Sequence, residues 1–131
     1  MDAMEIGRGI LAAQPFSVFV GAELTKFGDG VAELTVPFRD ELTQQNGFLH
    51  GGILAYAVDN AVSFAGGTVL GTSILTAGAA VTYLRPAKTG IRAIATVVGQ
   101  TRRQAVVTCE IYDDDDILVA TGYGTVAVLD R

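Results

Sequence analysis

The chain has 131 residues, half of them hydrophobic, with 14 acidic and 9 basic side chains and a formal net charge of -5. That length supports one domain, residues 1–131, with a real core, and the acidic balance excludes general nucleic-acid binding. The single cysteine, Cys109, excludes an internal disulfide and a cysteine metal cluster and reads as a small buried apolar residue. No charge-free run reads as a membrane span, because the best candidate, residues 51–84, is broken by glycines, hydroxyl residues and Asp59. Asp2 and Glu5 near the N-terminus do not fit a signal peptide, so a cytoplasmic location is expected. The surplus apolar surface is expected to enter a subunit interface.

In chain order, residues 1–14 predict a short helix that Pro15 stops. Residues 17–27 read as a strand, Gly28-Asp29-Gly30 as a hairpin turn, and residues 31–38 as the returning strand. A polar stretch then leads to the only histidine, His50, and to a long apolar helix over residues 48–70, opened by Gly51-Gly52 and ended by Gly71. Its apolar residues recur round the whole circumference, which predicts a buried helix. Strands follow at residues 73–84, 91–101, 104–112 and 117–129, with residues 113–116 as a solvated acidic turn that lacks calcium-loop spacing. Strands do not alternate with helices. The natural solution is an α+β fold, one antiparallel sheet wrapped round one central helix.

Asp59 is the only charged side chain between Gly51 and Leu84. Burial among Ile53, Leu54, Ala57, Val58, Ala61 and Val62 would be costly without a gain and would raise its pKa. The helix start presents backbone N–H groups without intrahelical partners, and glycine lets a ligand approach them. That suits a carbonyl oxygen that becomes negative during acyl transfer. Gly51 and Asp59 are eight residues apart, about 12 Å along one helix. One helix therefore cannot bring both to one carbonyl, whereas a two-fold dimer brings Gly51 of one copy to Asp59 of the other. Ser63, one turn after Asp59, lies on the same face. His50 reads as a residue that hydrogen-bonds backbone and shapes the turn at the helix start. Arg85, Lys88, Arg92, Arg102 and Arg103 fall in a stretch without acidic residues and suit the phosphates of coenzyme A.

The pattern Gly47-x-x-His50-Gly51-Gly52 with Asp59 nine residues after His50, and the strand ending Val81-Thr82-Tyr83-Leu84-Arg85-Pro86-Ala87, resembles the hotdog-fold acyl-CoA thioesterases of the phenylacetate-pathway (PaaI-like) group. The resemblance spans residues 42–128. It implies a hotdog fold, a homodimer as the minimum unit within a homotetramer (a dimer of dimers), and hydrolysis of an acyl-CoA with no cofactor beyond the coenzyme A of the substrate. Asp59 is then general base or nucleophile, and the Gly51 N–H polarises the carbonyl. The resemblance also implies a water-holding hydroxyl, which falls on Ser63 or on Thr76, and an amide touching the carbonyl, which falls on Gln44, with Asn46 nearby and out of step. His50, Gly52, Asn46, Arg85, Arg102 and Arg103 are the expected substrate contacts. The acyl group is expected to be apolar, against Phe48, Leu49, Tyr56, Phe64 and Gly66-Gly67. Three rivals remain at this level: an acyl-thioester hydratase or dehydratase on the same fold, an acyl-CoA-binding protein without turnover, and a structural dimer module.

Overall fold

A computed structural model describes residues 1–129. Helix α1 spans Ala3–Ala12 and is capped by Asp2, whose carboxylate accepts from the Glu5 N–H at 2.8 Å. The helix ends before Pro15, as expected, but Pro15 does not lead into a strand. It opens a second helix, α2, Pro15–Val20, at a position where its missing N–H costs nothing. Gly21, at φ 83°, closes that helix in the left-handed conformation. Residues 17–20, expected as strand from the weak alternation of residues 17–27, are therefore helical. The expected alternation is absent too, since Phe16, Val18 and Phe19 are all exposed.

Strands β1 (Glu23–Gly28) and β2 (Val31–Val36) form the expected hairpin. Asp29 and Gly30 have φ of 53° and 80°, the pair of positive values that a two-residue turn of this hand demands. Pro37 stops β2 short of residue 38, because proline cannot donate to the ladder. One 3₁₀ turn, Asp40–Leu42, precedes the long helix α3, Gly51–Leu70. The helix starts at Gly51 rather than at residue 48, because Leu49 bridges to Thr43 in extended conformation and His50 serves as the cap. Strands β3 (Ile74–Tyr83), β4 (Ile91–Gln100), β5 (Gln104–Asp113) and β6 (Leu118–Val128) complete the chain. Asp113 belongs to β5 and is buried; its side chain accepts from the Asp115 and Ile117 N–H groups, so the acidic turn is only partly solvated.

The six strands form one antiparallel sheet in the order β1-β2-β4-β5-β6-β3. Helix α3 packs on its inner face and carries the chain from β2 to the far edge, giving the hotdog fold. Ile53, Leu54, Ala57, Val58, Ala61, Val62 and Ala65 of the helix meet Leu34, Ala93, Val107, Cys109, Ile111 and Val126 of the sheet in one core. The approach is close enough to require glycine at the contact. A Cβ on Gly122 would lie 2.8 Å from both the Ala80 carbonyl and Val58, and one on Gly124 would lie 2.8 Å from the Gly78 carbonyl. By length and composition α3 does meet the criterion for a membrane span, against expectation. Its buried face is nonetheless wrapped by the protein's own sheet.

Strand β3 is an open edge. It pairs with β6 on one side only, and seven of its ten residues are exposed. It holds no charged side chain, and Leu75 and Tyr83 are 61% and 52% exposed. A long, uncharged, unpaired edge is a template for another strand.

Candidate active site

The chain enters α3 through a tightly bonded turn. The His50 N–H donates to the Leu42 carbonyl at 2.8 Å, and the His50 carbonyl accepts from the Ile53 N–H at 2.8 Å. His50 Nδ1 accepts from the Gly52 N–H at 2.8 Å, the backbone role expected of it. These bonds leave the Gly51 N–H without an acceptor among the described residues. The helix macrodipole adds partial positive charge at that point. From β3, the Tyr83 hydroxyl donates to the Gly51 carbonyl at 2.9 Å.

Gly51 opens onto a pocket of about 320 Å³ whose wall includes Gln44, Phe48, Leu54, Tyr83 and Arg85. Gln44 Oε1 accepts from the Asn46 N–H at 2.5 Å and the Phe48 N–H at 3.4 Å, which directs the remaining capacity of the side chain to its NH₂ donors. Asn46 is exposed and does not line this pocket. Of the two amides, the fold places Gln44 beside Gly51.

Asp59 is exposed, which corrects the expectation of a buried carboxylate. The helix buries the side that meets the sheet, and Gly52 and Asp59 lie on the side that one chain leaves uncovered. Asp59 makes no hydrogen bond or ion pair among the described residues. Ser63, half-buried, lines a second pocket of about 210 Å³ together with Ile10, Phe27, Phe64, Gly67 and Leu75. Thr76 is half-buried near the start of β3.

The expected residues thus sort to two ends. Gln44, Gly51 and Arg85 share the end where β3 finishes, and Ser63 and Thr76 lie toward the end where it starts. Arg102 and Arg103 stand at the β4–β5 turn, on the Ser63 side. A ten-residue strand puts them about 30 Å from the Arg85 end. Arg85 Nη1 donates to the Leu118 carbonyl at 3.0 Å. Arg92 leaves the basic set, because it pairs with Glu33 at 3.4 Å and Asp116 at 3.1 Å and covers the Tyr112 ring.

Two expected pocket residues serve packing instead. The Tyr56 hydroxyl bonds Ser17 Oγ at 2.6 Å and accepts from Asn60 Nδ2 at 3.1 Å, joining α2 to α3. Gly66 abuts Val126, where a Cβ would lie 2.7 Å away. Cys109 is buried, and burial first and the neighbouring Glu110 charge second push its thiol up to about 12, so it is no nucleophile near neutrality. Tyr83 was not among the residues singled out from sequence; its signal was its place in the Tyr83-Leu84-Arg85-Pro86 run.

Residues 46–120 match the family described as the thioesterase superfamily. An inferred esterase of Sulfurisphaera tokodaii is 36% identical over 107 residues, covering 81% of this chain and 80% of that protein. A thioesterase family protein from Silicibacter pomeroyi has a TM-score of 0.89 at 30% identity, covering 98% of this chain and 100% of that one. The PaaI protein of the E. coli phenylacetic acid degradation operon has a TM-score of 0.86 at 18% identity, covering 98% and 97%, which is a likeness of fold. The family match, the curated relative and the shared architecture agree: the chain belongs to the thioesterase superfamily, an enzyme family of thioesterases and esterases, on the hotdog fold.

Proposed function

We propose that the protein is an acyl-CoA thioesterase whose site is completed by a second copy of the chain. The observation that carries this reading is the sorting of its polar groups. A donor end holds the unpaired Gly51 N–H and Gln44, the exposed Asp59 stands at mid-helix, and Ser63 and Thr76 lie beyond it toward the other end, with the open edge of β3 running the whole length. Antiparallel pairing of two β3 edges about a two-fold axis turns the donor end of each copy toward the Asp59–Ser63 half of the other copy's helix. The same operation brings Arg85 of one copy to the side of Arg102 and Arg103 of the other, where the phosphates of coenzyme A would be held.

In this mechanism the Gly51 N–H and a Gln44 N–H hold the thioester oxygen as it gains charge. Asp59 of the other copy takes a proton from a water held by Ser63 or Thr76, or attacks the carbonyl itself. In the first route the water oxygen bonds the carbonyl carbon, the C–S bond breaks, and the proton held by Asp59 passes to the leaving sulfur, giving the free acid and the coenzyme A thiol; in the second, coenzyme A leaves from an acyl–Asp59 anhydride that water then hydrolyses. The apolar walls favour an apolar acyl group, and the buried lone thiol accords with a cytoplasmic setting.

The test is thiol release from phenylacetyl-, benzoyl-, short-, medium- and long-chain acyl-CoAs, comparing the wild type with Asp59→Asn, with binding measured alongside. Turnover that collapses in the variant while acyl-CoA still binds supports the hydrolase. Binding without turnover in either protein overturns it in favour of a non-catalytic acyl-CoA-binding protein.

A further inference from the structure

We infer that Tyr83 is a positioning residue for the Gly51 N–H, acting from the strand edge at which two copies meet; the inference rests on the thioesterase reading. Helix α3 begins with two glycines, the residues that gain most from unfolding, at the turn where backbone groups lack helical partners. A donor for a developing oxyanion works only if it is held in place before the reaction. The peptide between Gly51 and Gly52 is held at both of its polar atoms. His50 Nδ1 takes its N–H at 2.8 Å, and the Tyr83 hydroxyl gives to its carbonyl at 2.9 Å. The preceding peptide is held by the His50 carbonyl, which accepts from the Ile53 N–H. The group left over inside this frame is the Gly51 N–H.

Of the three holding bonds, two are local to the helix start. Of the three, only the Tyr83 bond comes from another element. Its ring also covers Gly51, where a Cβ would stand 3.3 Å from Cζ and Oη. With 52% of its surface exposed, Tyr83 contributes little to the core of a single chain. It is the last residue of β3, so its hydroxyl ties the assembly edge to the catalytic turn.

The test uses Tyr83→Phe, which keeps the ring and removes the hydroxyl. In an Asp59→Asn background the substrate survives, so the thioester carbonyl of bound, ¹³C-labelled phenylacetyl-CoA can be read by infrared difference spectroscopy. The expected result is a C=O band shifted to lower frequency in Asp59→Asn, and a band moved back toward the free position and broadened when Tyr83→Phe is added. With Asp59 intact, Tyr83→Phe lowers kcat about tenfold and leaves KM, melting temperature and dimer elution near wild type. A purely structural tyrosine would lower the melting temperature and leave band and kcat alone. Equal bands and equal kcat with and without the hydroxyl overturn the inference, as does the absence of any band shift in Asp59→Asn. A wild type that releases no thiol from any acyl-CoA sinks the thioesterase reading separately, because the band comparison needs binding and not turnover.

Discussion

The most direct test of a site shared between two copies removes the donor of one and the acid of the other. Gly51→Pro deletes the N–H at the first helical position, where proline is well accepted. The residue before it is already suited, since His50 has φ of -59° and ψ of 137°, the extended conformation proline imposes on its neighbour. The new ring has to displace Tyr83 by a few tenths of an ångström, because a Cβ at Gly51 lies 3.3 Å from its ring. The helix should therefore form, and the melting temperature should move little. Loss of one oxyanion donor costs about 10²- to 10³-fold in kcat, and Asp59→Asn should cost at least as much. Each homodimer is then nearly inactive. Refolding an equal mixture makes half the dimers mixed, and each mixed dimer has one site with both residues native, so about a quarter of wild-type activity returns. If donor and acid came from one chain, every site would keep a defect and mixing would restore nothing. Because the two residues lie about 12 Å apart along one helix, no recovery would refute the geometric reasoning, and full activity in Gly51→Pro would refute the role of its N–H.

Ala79→Glu places a carboxylate on the open edge of β3, on the side facing the helix, where a Cβ on Gly124 would lie 3.4 Å from the Ala79 Cβ. It should convert the proposed dimer to monomer in light scattering and abolish turnover; a dimer that persists would move the interface elsewhere. Ser63→Ala and Thr76→Ala should separate the candidate water-holding hydroxyls, the true one losing about tenfold in kcat through a lost hydrogen bond to the transition state. Cys109 should resist alkylation at pH 8 until the chain unfolds. The Cys109 thiol is pushed up from 9.0 to about 12, and above pH 9 only the unfolded chain ionises it. Native stability should then fall with rising pH by up to about 1.4 kcal/mol per pH unit. Denaturant titrations at pH 8 and pH 11 should show a smaller fall for Cys109→Ala than for the wild type.

The sheet was legible where one face is buried and the other is not. Ala105, Val107, Cys109 and Ile111 are buried on β5, and the residues between them are exposed, as their alternation requires. The Gly28-Asp29-Gly30 turn was legible because it needs positive φ, which few residues supply. Residues 17–20 misled because their weak alternation suggested a strand, whereas here a proline at the first helical position and a left-handed Gly21 set the backbone. A weak alternation loses to these two constraints. Tyr83 was hidden for a different reason. Its role is a bond to a backbone carbonyl 32 residues away, and no periodicity in the chain encodes such a contact.

Asp59 draws the two halves of the structure together. The apolar run around it reads as a code for burial, and most of it is one: Ile53, Leu54, Ala57, Val58, Ala61 and Val62 do meet the sheet. The same lack of charge continues into β3, where Leu75, Ala77, Ala79, Ala80 and Thr82 are exposed. On the proposed function, residues 60–84 serve two different covers, an internal one and an external one, with one composition. A sequence cannot separate them, because the free-energy gain from hiding apolar surface does not depend on which chain hides it. The exposed carboxylate beside an uncharged, unpaired edge marks the boundary between the two. A single chain that kept Asp59 in water and left ten strand residues half-paired would retain an association hazard that folded proteins usually blunt with charge. The proposed dimer closes that edge with a second copy, which would remove the hazard and carry the carboxylate to the free N–H it lacks the reach to meet alone.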